Sequence, residues 1–542
     1  MKNRKILTLF ASFILFTISI VNGQTAPFQV AIEPMSVPSL GGLQSFAVGQ
    51  HNEQWLLVGG RLDGLHRRQP FAAFDVAGNN NQLIVVDPNT KQKWTAPLTS
   101  LAASIQEQLS STNMQFYQEG EYLYLIGGYG YSAINANHIT FPNLTAIQIP
   151  MIINAIKNGS AIAPYIRQMS DTLFAVTGGS LKKINQTFYL VGGQKFIGRY
   201  NPMGPTSGPG FFQEYTNAIR KFRLSDNGTQ LSITHLPSLV DAINLHRRDY
   251  NVVPQILPTL EEGITAFSGV FQPTADLPYL NCVTIDSVQA LVNNAFAQYY
   301  NHYHCANIPL YSASQNEMHT VFFGGIAQYY DKQGTLVQDN NVPFVNTIAR
   351  VTRKQNGEMA EYKLPIEMPG LLGSGSEFIP VKTIAHYANE VIKLDNLTND
   401  TNMVGYIFGG ISSSAPNIFF TNTGTQSAAS NQIFKVYIIK NSLSGLHQLN
   451  EQSTSSLHMQ VYPNPNNGHL FIKFNILYRA EPITLSIQDN MGKIIERTTL
   501  ENLKMGENIY SQKMKGLANG GTYYVTIETS KEKSTQKVII NP

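Results

Sequence analysis

Two cysteines and two histidines are the side chains of this sequence best suited to redox or metal chemistry. Cys305 closes the segment Tyr299-Tyr-Asn-His-Tyr-His-Cys305, which contains His302 and His304, and the other cysteine is Cys282. In a protein that leaves the reducing cytoplasm, an even pair this close in sequence is most simply a disulfide, so we predict a bond between Cys282 and Cys305. The alternative is a metal site formed by the thiolate and the histidines, but this short cluster has no recognised ligand spacing. We therefore predict neither a metal site nor a cofactor.

Aromatic and cationic side chains near paired glycines form a second group of candidates. Tyrosine offers a broad surface with few rotatable bonds and a polar tip, which suits stacking on a sugar ring or anchoring a protein loop. Gln194 and Phe271 occupy comparable positions. The alternative is that these side chains pack only within their own loops. The candidate ligand-binding residues are Arg61, Arg67, Tyr129, Lys195, Arg199, Tyr200, Tyr329 and Tyr330.

Six apolar runs that end in a pair of small residues must position these side chains. Successive pairs are 68, 65, 76, 56 and 85 residues apart, which indicates a repeat architecture. Runs of β-branched and aromatic residues predict buried strands, and glycine lets the chain turn and neighbouring backbones approach. The runs are Trp55-Leu-Leu-Val-Gly-Gly60, Leu123-Tyr-Leu-Ile-Gly-Gly128, Phe188-Tyr-Leu-Val-Gly-Gly193, Ile264-Thr-Ala-Phe-Ser-Gly269, Thr320-Val-Phe-Phe-Gly-Gly325 and Gly405-Tyr-Ile-Phe-Gly-Gly410. Their blade glycines are Gly59, Gly60, Gly127, Gly128, Gly192, Gly193, Gly269, Gly324, Gly325, Gly409 and Gly410.

Further strands recur around each run. An earlier apolar segment precedes the pair, as at residues 45–49 and 173–177, and two more strands follow, clearest in the first unit at 82–88 and 91–97. This order, with an Asp-Pro turn and a tryptophan, resembles the kelch repeat, which implies one four-stranded blade per repeat. We therefore expect an all-β fold, with a six-bladed kelch-type β-propeller over residues 24–441.

Long loops distinguish these units from a kelch repeat of about 50 residues. The additional residues of each unit fall mainly between the second and third strands and between the fourth strand and the next blade. The resemblance implies that both loop classes emerge on the same face of the disc. Loops on a rigid scaffold are where binding surfaces are usually built, so we expect the ligand on that face.

The sixth unit lacks a clear fourth strand of its own. The other fourth strands are expected to end in a proline-bearing segment, at residues 94–97, 147–150, 233–237 and 361–365, whereas 441–447 has no such signal. At the opposite end of the chain, residues 28–34 have both the alternation and the proline. We therefore predict that residues 28–33 supply the outer strand of the sixth blade and close the ring by hydrogen bonds.

The C-terminal segment differs in composition from the propeller. A Ser/Thr-rich linker is expected over residues 442–458, and period-2 strands between Asn/Gly turns then predict a small β-sandwich over 459–542. The motifs Tyr462-Pro-Asn-Pro465, Asp489-Asn-Met-Gly492, Gly521-Thr-Tyr-Tyr-Val525 and the terminal Lys537-Val-Ile-Ile540 resemble the type A sorting domain of type IX secretion. The resemblance implies a Bacteroidetes-like source and a partner in the type IX secretion machinery. An ordinary C-terminal binding module is the alternative.

The N-terminus reads as an export signal. Basic residues precede an apolar run at 6–21, and small side chains suit cleavage after residue 23, so we predict a signal peptide over 1–23. A membrane anchor is the alternative, but the run is shorter than the ~20 residues that a spanning helix needs. The net charge is +3 without a block of basic residues, so we expect no nucleic-acid partner. We also expect no membrane span in the mature form.

Four functions can be compared on these features. A copper site like that of galactose-oxidase-like propellers needs two tyrosines, two histidines and a cysteine crosslink, and the histidines here do not match it. A sialic acid mutarotase-like activity is a stronger enzymatic alternative, with Arg61, Arg67, Arg199 and Glu214 as candidates for binding the carboxylate and for acid–base work. We expect first a recognition or adhesion protein that binds a glycan or protein, secreted or on the outer cell surface via the periplasm. A purely structural surface protein ranks last.

Overall fold

The computed structural model describes residues 26–69, 71–204, 210–440, 457, 459–464, 466–476, 483–489, 493–501, 503–513, 521–529 and 533–540. The predicted signal peptide and nearly all of the predicted linker lie outside these residues. Two groups of strands, one over residues 28–440 and one over residues 460–540, make up most of the described structure.

The first group contains the strands of a propeller. In chain order they are β1 (Phe28–Met35), β2 (Ala47–His51), β3 (Gln54–Val58), β4 (Gln82–Asp87), β5 (Gln92–Pro97), β6 (Thr112–Glu119), β7 (Tyr122–Ser132), β8 (Asn137–Thr140), β9 (Asn143–Gln148), β10 (Ile166–Ser170), β11 (Ser180–Ile184), β12 (Thr187–Val191), β13 (Gln194–Ile197), β14 (Phe212–Tyr215), β15 (Ala218–Asp226), β16 (Leu231–Val240), β17 (Asn251–Ile256), β18 (Glu262–Phe267), β19 (Cys282–Ile285), β20 (Ala290–Asn293), β21 (Asn307–Ser312), β22 (Glu317–Ile326), β23 (Tyr329–Lys332), β24 (Thr335–Gln338), β25 (Phe344–Arg353), β26 (Met359–Glu367), β27 (Leu371–Pro380), β28 (Ile392–Lys393), β29 (Thr401–Ser413), β30 (Ser427–Ala429) and β31 (Ile433–Lys440). Two α-helices accompany them, α1 (Ala103–Leu109) and α2 (Ile149–Asn158). Short 3₁₀ segments cover Val76–Gly78, Leu98–Ser100, Ala163–Tyr165, Thr172–Phe174 and Leu394–Asn396.

Six antiparallel sheets form the blades of the propeller. From the axis outwards, the four strands of each blade are β2-β3-β4-β5, β6-β7-β9-β10, β11-β12-β15-β16, β17-β18-β19-β20, β21-β22-β25-β26 and β27-β29-β31-β1. The second strand of each blade is the apolar run singled out in the sequence, and its side chains are buried, as at Leu56 and Leu57. The fold is therefore the all-β, six-bladed propeller expected from the repeats, followed by a smaller β domain.

The glycine pair at the end of each second strand joins one blade to the next. Gly127 has a left-handed φ of 68°, and a Cβ built on it would lie 1.9 Å from the carbonyl oxygen of Val176 in the following blade. The N–H of Gly128 donates a hydrogen bond of 3.0 Å to that same carbonyl. In the fourth blade Ser268 replaces the first glycine and keeps the conformation, with φ 52°. Equivalent N–H donors to the next blade are Gly60, Gly193, Gly269 and Gly410.

A closed ring of six backbone hydrogen bonds surrounds the axis, and we call it the axial ring. Each blade contributes one residue, and its N–H donates to the carbonyl of the ring residue in the preceding blade at 2.7–3.4 Å. The first blade donates to the sixth, through Ser45 N–H and Gly375 O at 2.8 Å, so the circle is complete. All members except His304 have a φ between 50° and 72°. The members are Ser45, Asn113, Gly178, Asp249, His304 and Gly375.

The N-terminal strand closes the sixth blade. β1 pairs antiparallel with β31 over its whole length, from Phe28 opposite Lys440 to Met35 opposite Ile433. Phe28, Val30 and Ile32 point into a core shared with the fifth blade. The pairing predicted from the alternation and proline of this segment is therefore present, and it covers the edge that β31 would otherwise expose.

Two strand positions differ from the sequence expectation. Residues 173–177, expected as the first strand of the third blade, contain the 3₁₀ segment Thr172–Phe174, and the innermost strand is β11. The proline-bearing segment 147–150 is not a fourth strand either, because Pro150 lies in the first turn of α2 and β10 takes the outer position. Proline suits a first helical turn, where its missing N–H has no partner to lose. The buried isoleucine face of α2 packs on the first two blades.

The predicted disulfide is not formed. Both cysteines are free thiols buried in one apolar cluster between the fourth and fifth blades. Cys282 is held in β19, with its Sγ 3.8 Å from the sulfur of Met359, whereas the Sγ of Cys305 lies 3.7 Å from Nδ2 of Asn251. Closeness in sequence was misleading, because the two residues belong to different blades with separate pairing partners.

The second group of strands forms a small sandwich. Its strands are β32 (Gln460–Tyr462), β33 (His469–Ile476), β34 (Ile483–Asp489), β35 (Ile494–Leu500), β36 (Gly506–Lys513), β37 (Gly521–Glu528) and β38 (Lys533–Ile540). They form the sheets β32-β33-β36 and β35-β34-β37-β38. Leu470, Ile472, Ile487, Val525 and Ile540 lie in a core of their own between the sheets.

Removing the anchor of β1 is expected to destabilise the propeller. Phe28 is 1 % exposed in the shared core, so Phe28→Ala should lower the free energy of unfolding by about 3–5 kcal/mol. The matched control is Phe71→Ala, because Phe71 is 69 % exposed, and its effect should stay within about 0.5 kcal/mol. Urea denaturation of both variants measures the difference, and equal stabilities would contradict the role assigned to β1.

The cysteines should titrate as two protected thiols. Burial raises the pKa of Cys282 and of Cys305 to about 12, so little thiolate forms near neutral pH. We expect an aromatic disulfide reagent to leave the native protein unreacted and to modify both thiols after unfolding without reductant. If no free thiol were found in the unfolded exported protein, the two cysteines would be disulfide-bonded and the structure with two free thiols would be contradicted.

Candidate functional site

A cavity of about 740 Å³ lies on the face of the disc where the second strands end and the long loops emerge. We call it the upper cavity. Its floor contains the residue just before the axial ring in every blade, so all six blades contribute. These floor residues are Gln44, Thr112, Thr177, Arg248, Tyr303 and Ser374. The expectation that inserted loops crowd one face is met here.

Two hairpins from neighbouring blades form one wall of the upper cavity. The β7–β8 hairpin of the second blade meets the β13–β14 hairpin of the third, where Ile139 pairs with Ile197. The hydroxyl of Thr140 accepts the N–H of Phe196 at 2.8 Å and donates to its carbonyl at 3.0 Å. This double contact fixes the wall by hydrogen bonds in addition to side-chain packing. The aromatic rings that line the cavity include Phe74, Tyr200, Phe211, Phe271, Phe419 and Phe420.

Arg248 contributes a cation to the floor. Its Nε donates to the hydroxyl of Tyr215 at 3.1 Å, and its guanidinium forms an ion pair with Asp249 of the axial ring. The guanidinium also lies 5.0 Å from the ring centroid of Phe271. Burial alone would lower the pKa of Arg248, but Tyr215 and Asp249 raise it overall, so the charge is permanent. The hydroxyl of Tyr215 accepts from Arg248, which leaves the phenolic proton available to a ligand.

Two histidines beside Arg248 are held neutral. Burial, with the charge of Arg248, lowers the pKa of His66 to about 4. The same two causes lower the pKa of His246, whose ring stacks on Tyr215 with centroids 3.7 Å apart. Nδ1 of His66 has no hydrogen-bond partner among the described residues. The lining therefore combines the guanidinium of Arg248 with two imidazoles whose pKa is lowered and with phenols, and it also includes Arg61, Arg68, Asp249 and Asp276.

Three of the candidate residues from the sequence line the upper cavity, and two of these are saturated by protein contacts. Arg61 forms hydrogen bonds with Asp63 at 2.6 and 2.5 Å and with Oδ1 of Asn79 at 2.8 Å. The hydroxyl of Tyr129 donates to Gly198 O at 2.7 Å and accepts the N–H of Tyr200 at 3.0 Å. Both residues therefore hold the cavity wall in shape, and Tyr200 is the third of the set at the lining.

The remaining candidates do not line the cavity. Arg199 donates to Ala73 O at 2.8 Å and supports the wall from behind. Arg67 is exposed, and Lys195 sits opposite Glu214 in the β13–β14 hairpin. Tyr329 packs on Tyr299 with ring centroids 5.1 Å apart, and its neighbour Tyr330 also lies in β23. A ligand-binding role for these residues remains a prediction.

Sequence reasoning missed Arg248, Tyr215, His66, His246 and Tyr303. Arg248 and Tyr303 each precede the axial-ring residue of their blade, a position that recurs once per unit but has no constant residue type. Aligning the six units on the start of the innermost strand that follows each glycine pair would have identified this recurring position.

The cluster His302, His304 and Cys305 is not a metal site in the described structure. Nε2 of His302 lies 2.9 Å from Gln298 O, and its Nδ1 accepts the N–H of Gln328 at 3.0 Å. His304 turns to Glu377 instead, at 3.1 Å. Within the described ranges no three His, Cys, Asp or Glu side chains are grouped as metal ligands.

Comparison with known proteins identifies the second domain. Residues 460–541 match the family model of the secretion system C-terminal sorting domain. The tail is a type IX sorting domain. The protein is therefore exported by type IX secretion to the cell surface or beyond. Among the described residues, no helix has the length and apolar character needed to cross a membrane.

Solved structures resemble the chain only at low identity. A fungal alcohol oxidase of the AA5 family with copper has 9 % identity and a TM-score of 0.38, and the match covers 95 % of this chain and 100 % of that one. The structure of YjhT has 11 % identity and a TM-score of 0.38 and covers 75 % and 99 %. A chain of RAG in complex with one melted RSS and one unmelted RSS has 11 % identity and a TM-score of 0.35, and the match covers 76 % of this chain and 99 % of that one. No curated protein sequence matches the chain significantly.

Removal of the sorting domain should block export without unfolding the propeller. The tail has a hydrophobic core of its own, so deletion of residues 459–542 is expected to leave a folded propeller in the periplasm. Cell fractionation with protease protection locates the truncated and full-length proteins. Efficient appearance of the truncated protein in the medium would contradict the sorting role.

Proposed function

We propose that this exported protein is a recognition or adhesion propeller of the kelch type, and that its upper cavity binds a glycan. The observation that carries the proposal is a 740 Å³ cavity in which the guanidinium of Arg248, held by Tyr215 and Asp249, lies among aromatic rings. Binding sites for small molecules typically have volumes of about 300–1,000 Å³ and combine apolar walls with a few polar groups. The strand order and glycine pairs support the kelch assignment.

The polar groups on the lining favour a carbohydrate over an apolar ligand. Gln194, Gln213 and Gln272 place amide groups on the lining, where Nε2 of Gln213 donates to Oε1 of Gln194 and Nε2 of Gln272 donates to Pro278 O. Tyr215 adds a hydroxyl that can donate. Amides and phenols bind sugar hydroxyls, while the rings stack on the apolar faces of the sugar. Phe420 is 64 % exposed at the lining and is accessible to a ligand that enters from solvent.

A sugar-active enzyme is the second candidate, and the pair Arg248–Tyr215 favours it. The guanidinium would bind a sugar carboxylate, and the phenol beside it would exchange a proton with a ring or anomeric oxygen. Such a site suits interconversion of the anomers of an acidic sugar, as in a sialic acid mutarotase-like protein. Turnover of sialic acid anomers, followed by NMR, distinguishes this function from binding alone.

Binding should depend on the exposed aromatic ring at the cavity and not on a similar ring elsewhere. The mature protein is screened on a glycan panel, and the best glycan is titrated by calorimetry. Phe420→Ala is expected to weaken binding about tenfold, because stacking contributes about 0.5–1.5 kcal/mol beyond area burial. Phe71→Ala is the matched control, because Phe71 is similarly exposed but does not line the cavity.

A second pair of variants tests the floor. Tyr215→Phe removes one hydroxyl, and Arg248→Gln removes the guanidinium beside it, so both should weaken binding of the same glycan. Circular dichroism and thermal unfolding confirm that each variant is folded. Binding of host extracellular proteins but of no glycan would replace the glycan by a protein ligand. Full glycan binding in both floor variants and in Phe420→Ala would contradict the upper cavity as the site.

A further inference from the structure

The loops around the upper cavity are bonded to one another, beginning at the junction of the fifth and sixth blades. The N–H of Phe344 donates to Pro416 O at 2.9 Å. Nδ2 of Asn417 donates to Oδ2 of Asp339 at 2.8 Å. The rings of Phe344 and Phe419 stack with centroids 5.6 Å apart. Hydrogen bonds and stacked rings together therefore join the fifth-blade and sixth-blade loops.

The junction of the sixth and first blades is built around Asn422, whose side chain is fully buried. Its Nδ2 donates to the carbonyls of Leu65 and His66 at 2.8 and 3.0 Å. In return, the N–H of Arg68 donates to Asn422 O at 3.0 Å. The N–H of Leu65 donates to Oγ of Ser427 at 2.9 Å. The loop between β3 and β4 is thus held to the sixth blade by both side chains and backbone.

The far end of the loop between β3 and β4 rests on the second and third blades. Nε2 of His138 lies 3.1 Å from Phe74 O, and Nε of Arg199 donates to Ala73 O at 2.8 Å. The second and third blades are themselves joined by the pairing of the β7–β8 and β13–β14 hairpins. The wall of the upper cavity is therefore bonded at four consecutive junctions, from the fifth blade through the sixth, first and second blades to the third.

A wall of this extent limits how a long ligand can lie. A linear chain that crosses the cavity needs openings on opposite sides, but the two remaining junctions both flank the fourth blade and are adjacent to each other. The floor is closed as well, because it adjoins the hydrogen bonds of the axial ring. An internal stretch of a chain therefore cannot pass through the cavity, whereas the end of a chain can enter it.

The fourth blade lines its side of the cavity with groups that suit a second sugar unit. Phe271 and Asp276 both belong to the loop that follows β18, and both line the cavity. Asp276 is exposed, and its carboxylate has no hydrogen bond or ion pair to other residues in the described part of the chain. A carboxylate accepts hydrogen bonds from sugar hydroxyls, and an aromatic ring stacks on the apolar face of a sugar.

We propose that the upper cavity recognises the end of a glycan chain, with the terminal sugar above the floor and the next sugar against Phe271 and Asp276. This inference rests on the proposed glycan-binding function and adds which part of a glycan is bound. The chain leaves the cavity past the fourth blade. A long polysaccharide is therefore a ligand only at its chain ends.

Lengthening a glycan at either end tests the proposal. The probe is the oligosaccharide of a glycan panel that binds the full mature chain most tightly, together with two derivatives that carry one further sugar at the reducing or at the non-reducing end. One extension should weaken binding by about 100-fold or more, because it meets the bonded wall, and the other should leave it within about threefold. Calorimetry measures all three affinities. Tolerance of both extensions, or of neither, would overturn the proposal.

A pair of aspartate variants tests the position of the second sugar. Asp276→Asn should reduce about fivefold the gain in affinity from the methyl glycoside of the terminal sugar to the whole oligosaccharide, because one charge-assisted hydrogen bond is weakened. Asp400→Asn is the matched control, because Asp400 is also exposed but does not line the cavity. An equal gain in both variants would show that the chain does not leave past the fourth blade and would overturn the proposal.

Hydrogen exchange tests the wall without any glycan. The amides of Leu65 and Arg68 donate across a blade junction, so they should exchange about 100-fold more slowly than in an unstructured peptide. Exchange at the unstructured rate would show that the wall opens and would overturn this inference even if glycans bind. If these amides are protected and no glycan of the panel binds, the proposed function fails and this inference fails with it. Binding of an oligosaccharide lengthened at both ends would contradict this inference alone.

Discussion

Backbone hydrogen bonds between neighbouring blades at the axis are the constraint on which the rest of the structure depends. The N–H of each axial-ring residue donates to the preceding blade, and the second glycine of most pairs donates to the following blade, so most blade junctions are bonded in both directions. The first glycine allows this approach, since a Cβ at Gly324 would lie 2.0 Å from the carbonyl oxygen of Leu372. Blade spacing is thus determined by main-chain geometry, which leaves the loops free to vary.

The axial ring also divides the molecule into two chemical environments. In the fourth blade, Arg248 lies on the upper side, Asp249 in the ring and Tyr250 on the lower side. Three consecutive residues therefore contribute to the floor of the upper cavity, to the axial ring and to a smaller cavity on its other side. A shift of one residue in the register of an innermost strand would exchange these roles, so pairing with the second strand determines which side chains meet a ligand.

The parts of the fold that could be predicted are those with a repeated local signal. The second strands and their glycines have a constant pattern, and β1 was predictable because alternation and a proline compensate for a strand missing 400 residues later. The first strand of the third blade was predicted at the apolar segment 173–177, whereas the innermost strand is β11, which contains Lys182 and Lys183 and lacks an apolar run. Proline occurs both at the start of a helix, as Pro150 does, and at the end of a strand, so a proline alone could not distinguish the two.

The candidate site was harder to predict because residue type does not reveal hydrogen-bond saturation. Arg61 and Arg248 both line the upper cavity, yet Asp63 and Asn79 occupy the guanidinium of the first. Arg248 instead shares its Nε with a tyrosine hydroxyl that still has a proton to donate. Cys282 and Cys305 illustrate the same limit, since each thiol has its own packing partner despite their closeness in sequence. A buried polar side chain becomes available to a ligand only where the surrounding blades leave part of its hydrogen-bonding capacity unused.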